Sequence, residues 1–341
     1  MKAIQITKPY EIGIIEKEMP VAKEGEALLR VLYCGICGAD VASFTGNQPF
    51  TTYPRIPGHE FSAQIVSVPE NDKGFKAGDI ITCNPYFNCG ECYACKRGIV
   101  NACNDNQTMG VQRDGSFQEY IAMPVERLID GRGLDGKQLA LIEPFSISAH
   151  ALSRAEIKKG DNLLIMGAGP IGLFALLRAK SMGARVAIAD LLESRLNLAK
   201  EYGADMIINS KTDDFSVKCK DFTDGQGFDV CVEACGAPET FLACIDEAAH
   251  GANIILIGNG KRETTFVHSI ILKKELNIFG SRNAFTRDFE TLIDLVASGA
   301  VDVTKMITDV YDFENAAAAF DSLVNNDGSI NKLLIKFSDA G

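Results

Sequence analysis

Four cysteines lie close together in the first third of this 341-residue chain. Cys89, Cys92, Cys95 and Cys103 follow the spacing C-x₂-C-x₂-C-x₇-C. Four thiolates at such short separations can complete the tetrahedral shell of one Zn²⁺, which is the geometry of a structural zinc site. The same spacing can also hold an iron–sulfur cluster or a disulfide-linked lobe. Zinc is favoured because other metal-binding residue types lie elsewhere in the sequence.

A second, sparser set of such residues consists of Cys37, His59, Glu60 and Glu143. The chain has only four histidines, and His59 lies between a proline–glycine turn and an apolar strand. A lone histidine in that setting is more often structural. A thiolate, an imidazole and a carboxylate together, however, suit a catalytic zinc that keeps one position open for substrate.

The other cysteines are expected to serve the fold. Cys34 shares the glycine-flanked loop of Cys37 but is expected to be a small buried residue. Five further cysteines fall on apolar runs and are predicted to be core residues: Cys83, Cys219, Cys231, Cys235 and Cys244.

A glycine-rich segment predicts a nucleotide site. Gly167, Gly169, Pro170, Ile171 and Gly172 form a G-x-G-x-x-G pattern between an apolar strand and a predicted helix. The glycines allow a tight turn, close approach of a pyrophosphate and close strand–helix packing, while the helix N-terminus favours phosphate. The hexapeptide alone is weak evidence, but its context is appropriate on both sides.

The next strand ends in an acidic residue, Asp190. Its carboxylate can accept hydrogen bonds from the adenosine ribose and would repel the 2′-phosphate of NADP, so NAD is the predicted cofactor. Arg195 lies nearby and can soften this preference, although a solvated arginine on the following helix is the favoured interpretation.

The elements that must position these residues fall into two regions. Up to about residue 147 the chain shows short β-type runs at 26–34, 61–69 and 78–87, with no long helix before Ile147. From Gly160 strands alternate with helices, which predicts a doubly wound parallel sheet of six strands. A helix and a short strand after Gly280 are expected to return to the first region.

Composition excludes several classes of protein. The net charge of −11 argues against nucleic-acid binding, because phosphates require a basic surface. The N-terminal residues lack a signal-peptide pattern, and no apolar run is long enough to span a bilayer. Together with eleven cysteines, these features favour a cytoplasmic protein without membrane contact.

The motifs, taken together, resemble the zinc-dependent medium-chain dehydrogenases, in particular the sorbitol and threonine dehydrogenase branch. The matching segments are CGICGAD (34–40), GHE (58–60), the four-cysteine lobe, LIEPFSISAH (141–150) and GAGPIG (167–172). The resemblance implies that Cys37 and His59 bind the catalytic zinc, and that Glu60 and Glu143 complete or exchange into its shell. It also implies two zinc ions per chain, NAD, and a homodimer or homotetramer.

The same resemblance implies an α/β fold of two domains. A mostly-β GroES-like catalytic domain is expected over 1–147, with the structural zinc lobe at about 84–108. A Rossmann domain is expected over 148–281, and 282–341 is expected to return to the catalytic domain. The catalytic cleft is expected between the two domains.

Further segments are similar to bacterial sugar-acid dehydrogenases that oxidise L-gulonate or L-galactonate at C5. They are 46–60, 110–120, 141–151 and 280–284. The resemblance favours L-gulonate oxidation to D-fructuronate, with L-galactonate, an alditol or L-threonine as alternative substrates. Residues expected to bind the substrate carboxylate or hydroxyls are Arg282, Arg113, Arg55, Asn283, Asn47 and Gln48, although each is equally interpreted as a loop residue that caps a turn.

Two positions depart from the family pattern. Ala39 replaces the usual Ser or Thr two residues after the ligand cysteine, and Ala42 replaces a frequent histidine. Neither alanine can relay a proton, so bound water, Glu60, Glu143 or a substrate or ribose hydroxyl must do so, and Glu143 is the favoured group. The missing hydroxyl is also the one feature that supports a catalytically silent, nucleotide-binding regulator.

Overall fold

The structure is a computed structural model that describes residues 1–339. The chain divides into two compact units, one formed by residues 1–144 together with the chain from Ala284 onward, the other by Phe145–Asn283.

The strands are short and concentrated in three sheets and one hairpin. In chain order they are β1 (Lys2–Lys8), β2 (Glu11–Glu16), β3 (Glu26–Gly35), β4 (Glu60–Ser67), β5 (Ile80–Cys83), β6 (Tyr86–Phe87), β7 (Gln107–Thr108), β8 (Tyr120–Pro124), β9 (Leu128–Asp130), β10 (Asn162–Met166), β11 (Arg185–Asp190), β12 (Met206–Asn209), β13 (Phe228–Glu233), β14 (Ala248–Leu256), β15 (Asn277–Gly280), β16 (Ile307–Asp312) and β17 (Lys332–Lys336).

The helices lie mainly in the second half of the chain. They are α1 (Gly38–Phe44), α2 (Tyr93–Lys96), α3 (Gly136–Ala140), α4 (Ile142–Ser153), α5 (Pro170–Ser181), α6 (Glu193–Glu201), α7 (Phe215–Thr223), α8 (Pro238–Glu247), α9 (Ser269–Lys274), α10 (Thr286–Ala297) and α11 (Ala316–Val324).

The unit of residues 145–283 contains a six-stranded parallel sheet. Its strand order is β12-β11-β10-β13-β14-β15, so the chain starts in the middle and winds outward in both directions. The central strand β10 is apolar along nearly its whole length because a parallel sheet is covered on both faces. The predicted doubly wound α/β class is confirmed.

The other unit is built around a mixed seven-stranded sheet. Its path is β16-β17-β3-β4-β5-β9, and β8 also pairs with β3. All its pairs are antiparallel except β16 with β17, which the chain reaches only after leaving the other unit. The core includes Phe61, Phe117 and Phe320, whose side chains are completely buried. This packing fixes the β3 and β4 ends that carry the candidate metal ligands.

One helix begins earlier than expected. The sequence predicted no long helix before Ile147, whereas α4 begins at Ile142. Pro144 lies in the first turn of α4, where a backbone N–H has no intrahelical acceptor, so the proline costs no hydrogen bond. Glu143 is therefore held in a helical first turn and not in a loop.

Candidate active site

Cys37, His59 and Glu60 are brought together by the meeting of two elements. Cys37 precedes α1, and Glu60 is the first residue of β4, directly after His59. One ligand atom from each residue lies within 4.8 Å of the other two. Cys37 is half-buried, whereas His59 and Glu60 are buried. The set offers sulfur, nitrogen and oxygen donors around one point, a combination that suits zinc.

Asp40 ties the two ligand-bearing segments to each other. Its side chain is fully buried and accepts hydrogen bonds from the backbone N–H groups of Cys37 and Gly58, both at 2.9 Å. An Asp40 oxygen also lies 3.9 Å from Nδ1 of His59. This residue was not predicted from the sequence, although an acidic residue three positions after a helix-capping cysteine indicates a capping box.

Glu60 fits against a glycine on the neighbouring strand. Gly35 of β3 is paired with Glu60 in the sheet, and a Cβ atom at Gly35 would lie 2.3 Å from Oε2 of Glu60. A side chain at this position would therefore displace the carboxylate, and only glycine leaves it room.

A buried lysine, Lys332, forms an ion pair with Glu60. Lys332 is 4% exposed, begins β17 and also donates a hydrogen bond to the carbonyl of Ile36 at 3.2 Å. Burial lowers the pKa of this lysine, but Glu60 and Cys37 more than offset that effect, so its pKa is raised and it stays charged. No pattern in the sequence indicates that Lys332 has this role.

Glu143 lies in the same electrostatic environment but outside the three-residue group. Its carboxylate accepts a hydrogen bond from the hydroxyl of Tyr86, which is also buried. Burial raises the pKa of Glu143 to about 7, opposed by His59. Burial lowers the pKa of His59, but Cys37 and Asp40 raise it well above its usual value.

The charge balance around Cys37, His59 and Glu60 favours a bound cation. The four acidic groups Cys37, Asp40, Glu60 and Glu143 influence one another. Within residues 1–339, the basic groups that act on several of them are Lys332 and His59. Uncompensated buried negative charge is strongly unfavourable. A divalent cation held by the cysteine, the histidine and a carboxylate would balance it, so the residues present fit a zinc ion.

The four-cysteine lobe is compatible with a single metal ion. All four sulfurs of Cys89, Cys92, Cys95 and Cys103 lie within 4.8 Å of one another. Two of the separations are 3.5 and 3.9 Å, close to the ~3.8 Å edge of a tetrahedron with Zn–S bonds of about 2.3 Å. These separations are too long for disulfide bonds, and all four residues are free thiols, so the disulfide alternative is wrong.

The glycine-rich segment links β10 to the N-terminus of α5. Gly169 is the N-cap and provides no side-chain cap, so the first N–H groups of α5 are left for an external anion. A Cβ at Gly172 would lie 1.8 Å from the Gly167 carbonyl oxygen, whereas a Cβ at Gly169 would meet nothing closer than 3.9 Å. Gly172 therefore serves packing, and Gly169 leaves open space.

Asp190 lies at the end of β11, as predicted, and its carboxylate also accepts hydrogen bonds within the fold. One oxygen accepts a hydrogen bond from the N–H of Ala168 at 2.8 Å, and the other accepts from Leu191 and Leu192. The Arg195 guanidinium lies 3.7 Å from the first oxygen. Asp190 thus holds the glycine-rich segment in place.

The predicted substrate residues are spread over several loops. Arg282 is exposed and Asn283 half-buried, both after β15, and Asn283 has a positive φ of 51°. Asn47 donates to Thr45 at 3.0 Å, Gln48 is half-buried, and Arg113 stacks 3.6 Å from the ring centre of Phe87. Arg55 is paired with Asp114 at 3.2 Å.

One of the cysteine predictions is wrong. Cys235 was expected in the core but is exposed, in the loop after β13. The strand ends at Glu233, whose carboxylate accepts hydrogen bonds from the N–H groups of Cys235 and Gly236 and so turns the chain out of the sheet. Cys34, Cys83, Cys219, Cys231 and Cys244 are buried, as predicted.

Comparisons with known proteins agree with this organisation. The alcohol dehydrogenase GroES-like domain model matches residues 23–132, and the zinc-binding dehydrogenase model matches residues 170–298. L-galactonate-5-dehydrogenase of Escherichia coli (strain K12) is 34% identical over 337 residues, which cover 99% of each chain. Sorbitol dehydrogenase of Bacillus subtilis (strain 168) is 32% identical, covering 98% of this chain and 97% of the relative.

A solved structure shows the same fold over the full length. The rspB alcohol dehydrogenase of Escherichia coli CFT073, crystallised with NADH, superimposes with a TM-score of 0.92 at 32% identity, covering 98% of this chain and 99% of the other. No helix within residues 1–339 is long and apolar enough to cross a membrane. The chain belongs to the zinc-binding medium-chain alcohol dehydrogenases, with their GroES-like and Rossmann-type domains, and is a zinc-dependent oxidoreductase of the polyol and sugar dehydrogenase type.

Proposed function

We propose that this enzyme oxidises a secondary hydroxyl of a six-carbon sugar acid, with L-gulonate and L-galactonate as the first candidate substrates and NAD as the acceptor. The observation that carries the reaction type is the buried Cys37–His59–Glu60 cluster, with Glu143 in the same environment. The sugar-acid assignment is supported by the full-length similarity to L-galactonate-5-dehydrogenase of Escherichia coli.

Cys37, His59 and one carboxylate, Glu60 or Glu143, would hold the catalytic zinc, and the four-cysteine lobe would hold a structural one. When bound, the catalytic zinc supplies Lewis acidity that lowers the pKa of a substrate hydroxyl. Asp40 keeps the Cys37 and His59 segments together, and Lys332 balances the charge of Glu60. These contacts orient the metal-binding side chains without requiring a bound metal.

The proton of the substrate hydroxyl needs an acceptor other than residues 39 and 42. Ala39 and Ala42 have no titratable group, so the relay used by other family members is missing. Glu143 is the carboxylate that best replaces this relay, because it is buried, lies in the electrostatic environment of His59 and accepts a hydrogen bond from Tyr86. We assign the proton-accepting step to Glu143 by this position.

The nucleotide end of the reaction is assigned to residues 167–172, Asp190 and Arg195. NAD supplies the acceptor for the hydride that leaves the substrate carbon. The uncapped N–H groups of α5 would bind its pyrophosphate, and Asp190 would accept from its ribose hydroxyls. For NADP the same carboxylate would face a phosphate, which favours NAD. Arg282 is proposed as the partner of the substrate carboxylate.

Two other functions are alternatives to a sugar-acid dehydrogenase. An alditol or L-threonine dehydrogenase would use the same donors with another substrate, and the similarity to sorbitol dehydrogenase of Bacillus subtilis favours that alternative. A regulator that binds nucleotide without turnover is favoured only by Ala39. Such a binder would need the structural metal alone.

Metal content separates the enzyme from the regulator. We expect purified protein to hold two zinc ions per chain by elemental analysis, and Cys37→Ser to hold one and to lose NADH formation. Cys34→Ser is the matched control, since it changes a buried cysteine near the end of β3, three residues before Cys37, whose sulfur lies 3.0 Å from the hydroxyl oxygen of Ser116. One zinc per chain in the wild-type enzyme, with no turnover, would instead favour the regulator.

A further inference from the structure

The two candidate metal-binding regions of the unit that contains residues 1–144 are connected through the strand pair β6–β7. The lobe of Cys89–Cys103 lies between β6 and β7, which pair with each other through Tyr86 with Thr108 and Phe87 with Gln107. The strand that enters the lobe is therefore hydrogen-bonded to the strand that leaves it. This strand pair forms the base of the lobe, and Tyr86 lies in it, three residues before Cys89.

A series of hydrogen bonds runs from the lobe to that base. The side-chain amide of Asn88 donates to the sulfur of Cys95 at 3.8 Å. The guanidinium of Arg127 donates to the Asn88 side-chain oxygen at 3.4 Å and to the backbone carbonyl of Tyr86 at 2.5 Å. Arg127 also lies 4.2 Å from the ring centre of Phe87. The position of Tyr86 is thus fixed from the lobe side.

Tyr86 faces the catalytic cluster at its other end. Its ring is 6% exposed, and its hydroxyl donates to Oε1 of Glu143, which is 3% exposed. A buried hydroxyl and a buried carboxylate each need a partner, so the pair restrains both side chains. Partners that orient metal-binding residues in this way commonly change metal affinity or activity by about 10–100-fold when they are removed.

We propose that Tyr86 is a positioning residue through which the four-cysteine lobe orients Glu143 toward the catalytic metal. An ordered lobe holds β6 in place, and β6 holds the hydroxyl that fixes the carboxylate. The lobe then contributes to the catalytic site as well as to stability. This proposal rests on the proposed function, because it takes Glu143 as a carboxylate of the metal site.

The test measures metal retention in the absence of substrate. Zinc-loaded wild-type enzyme, Tyr86→Phe, Asn88→Ala and the double variant are titrated with a colorimetric chelator, and release of the first ion is followed. The mixed-ligand site is expected to release first, because four thiolates hold the other ion. Tyr311→Phe is the control, since it also removes a tyrosine hydroxyl, one that is half-buried and lies within hydrogen-bond distance of Ser322, at 3.3 Å.

We expect Tyr86→Phe to release the first ion about 10–100-fold more readily than wild type. Asn88→Ala should shift release in the same direction by a smaller factor, and the double variant should not exceed Tyr86→Phe, since both act through one residue. Tyr311→Phe should match wild type. Circular dichroism confirms that each variant is folded.

Two outcomes would overturn the proposal. Release from Tyr86→Phe at the wild-type level would show that Tyr86 does not position Glu143, and additive effects of the two substitutions would show that the lobe acts by another route. If wild-type enzyme itself held no ion at the mixed-ligand site, the proposed function would fail first, which separates the two failures.

Discussion

A buried lysine beside a buried glutamate makes each side chain dependent on the other. Lys332→Met removes the counter-charge of Glu60 and leaves a buried carboxylate unpaired. In metal-free protein we expect the free energy of unfolding to fall by about 3–5 kcal/mol, measured by urea denaturation. Zinc should restore part of this loss, because the ion supplies a second source of positive charge.

The control for this prediction lies on the same strand. Lys336 pairs with Asp339 at 2.8 Å at the surface, so Lys336→Met should leave the stability close to that of wild type. The double variant Glu60→Gln with Lys332→Met should recover stability relative to Lys332→Met alone. An unchanged unfolding curve for Lys332→Met would show that Glu60 does not depend on this ion pair.

At the residue scale, the residues that could bind metal were easier to predict from the sequence than the residues that hold them in position. Cys37, His59 and the four lobe cysteines could be predicted because thiols and imidazoles at metal-site spacing are uncommon in other roles. Lys332 and Tyr86 could not, since their importance arises from tertiary contacts between distant segments: Lys332 reaches a carbonyl 296 positions away. Cys235 was misassigned because the turn formed by Glu233 is not visible as a local pattern.

Two glycines in the segment between β10 and α5, Gly169 and Gly172, are expected to have different roles. Gly172→Ala would place a methyl group 1.8 Å from the Gly167 carbonyl oxygen, so we expect a loss of about 1–3 kcal/mol in unfolding free energy and weaker NAD binding. Gly169→Ala meets open space and has φ of −72°, so the free protein should keep its stability. Thermal unfolding and NAD titration of both variants measure the difference.

Gly169→Ala should nevertheless weaken NAD binding, because the added methyl group would occupy the space that the pyrophosphate approaches. Equal loss of stability in the two variants would contradict the distinct roles assigned to the two glycines. Unchanged NAD binding in Gly169→Ala would remove this segment from the cofactor site.

The end strand of the parallel sheet predicts self-association. Among the strands of residues 1–339, β15 pairs with β14 alone and has no strand on its other edge, and Ile278 on β15 is 37% exposed. We propose that two copies of the chain pair through this edge. Ile278→Lys should then lower the mass measured by light scattering toward that of a monomer. Ile14→Lys, at an exposed apolar strand position in the other unit, should not change it.

At the element scale, strong periodicity was predictable and weak periodicity was not. The six parallel strands were predicted because buried apolar runs alternate with turns and helices. The helices α7, α9 and α11 and the strand β16 were not predicted. In α7 and β16 the exposed faces break the apolar pattern. The start of α4 was placed too late because Pro144 in a first turn resembles a helix break.

The whole molecule combines a metal-binding unit and a nucleotide-binding unit in one acidic chain. The family, the fold class and the reaction type followed from motifs spread over the full length of the sequence. The substrate did not, because a pocket for a sugar acid is built from loop side chains whose neighbours depend on the tertiary fold. Asn47 and Arg113 show this, since Asn47 donates a hydrogen bond to Thr45 and Arg113 stacks on Phe87, contacts that the sequence alone does not reveal.

The decisive measurement is NADH formation by the zinc-loaded enzyme with L-gulonate, L-galactonate, L-idonate and D-gluconate beside sorbitol, galactitol and L-threonine, with NADP in parallel. We expect turnover of L-gulonate or L-galactonate with NAD, little activity with NADP, and inert alditols and threonine. Arg282→Ala should then raise KM for the hexonate more than it lowers kcat. Turnover of an alditol or L-threonine, with all hexonates inert, would contradict the sugar-acid assignment.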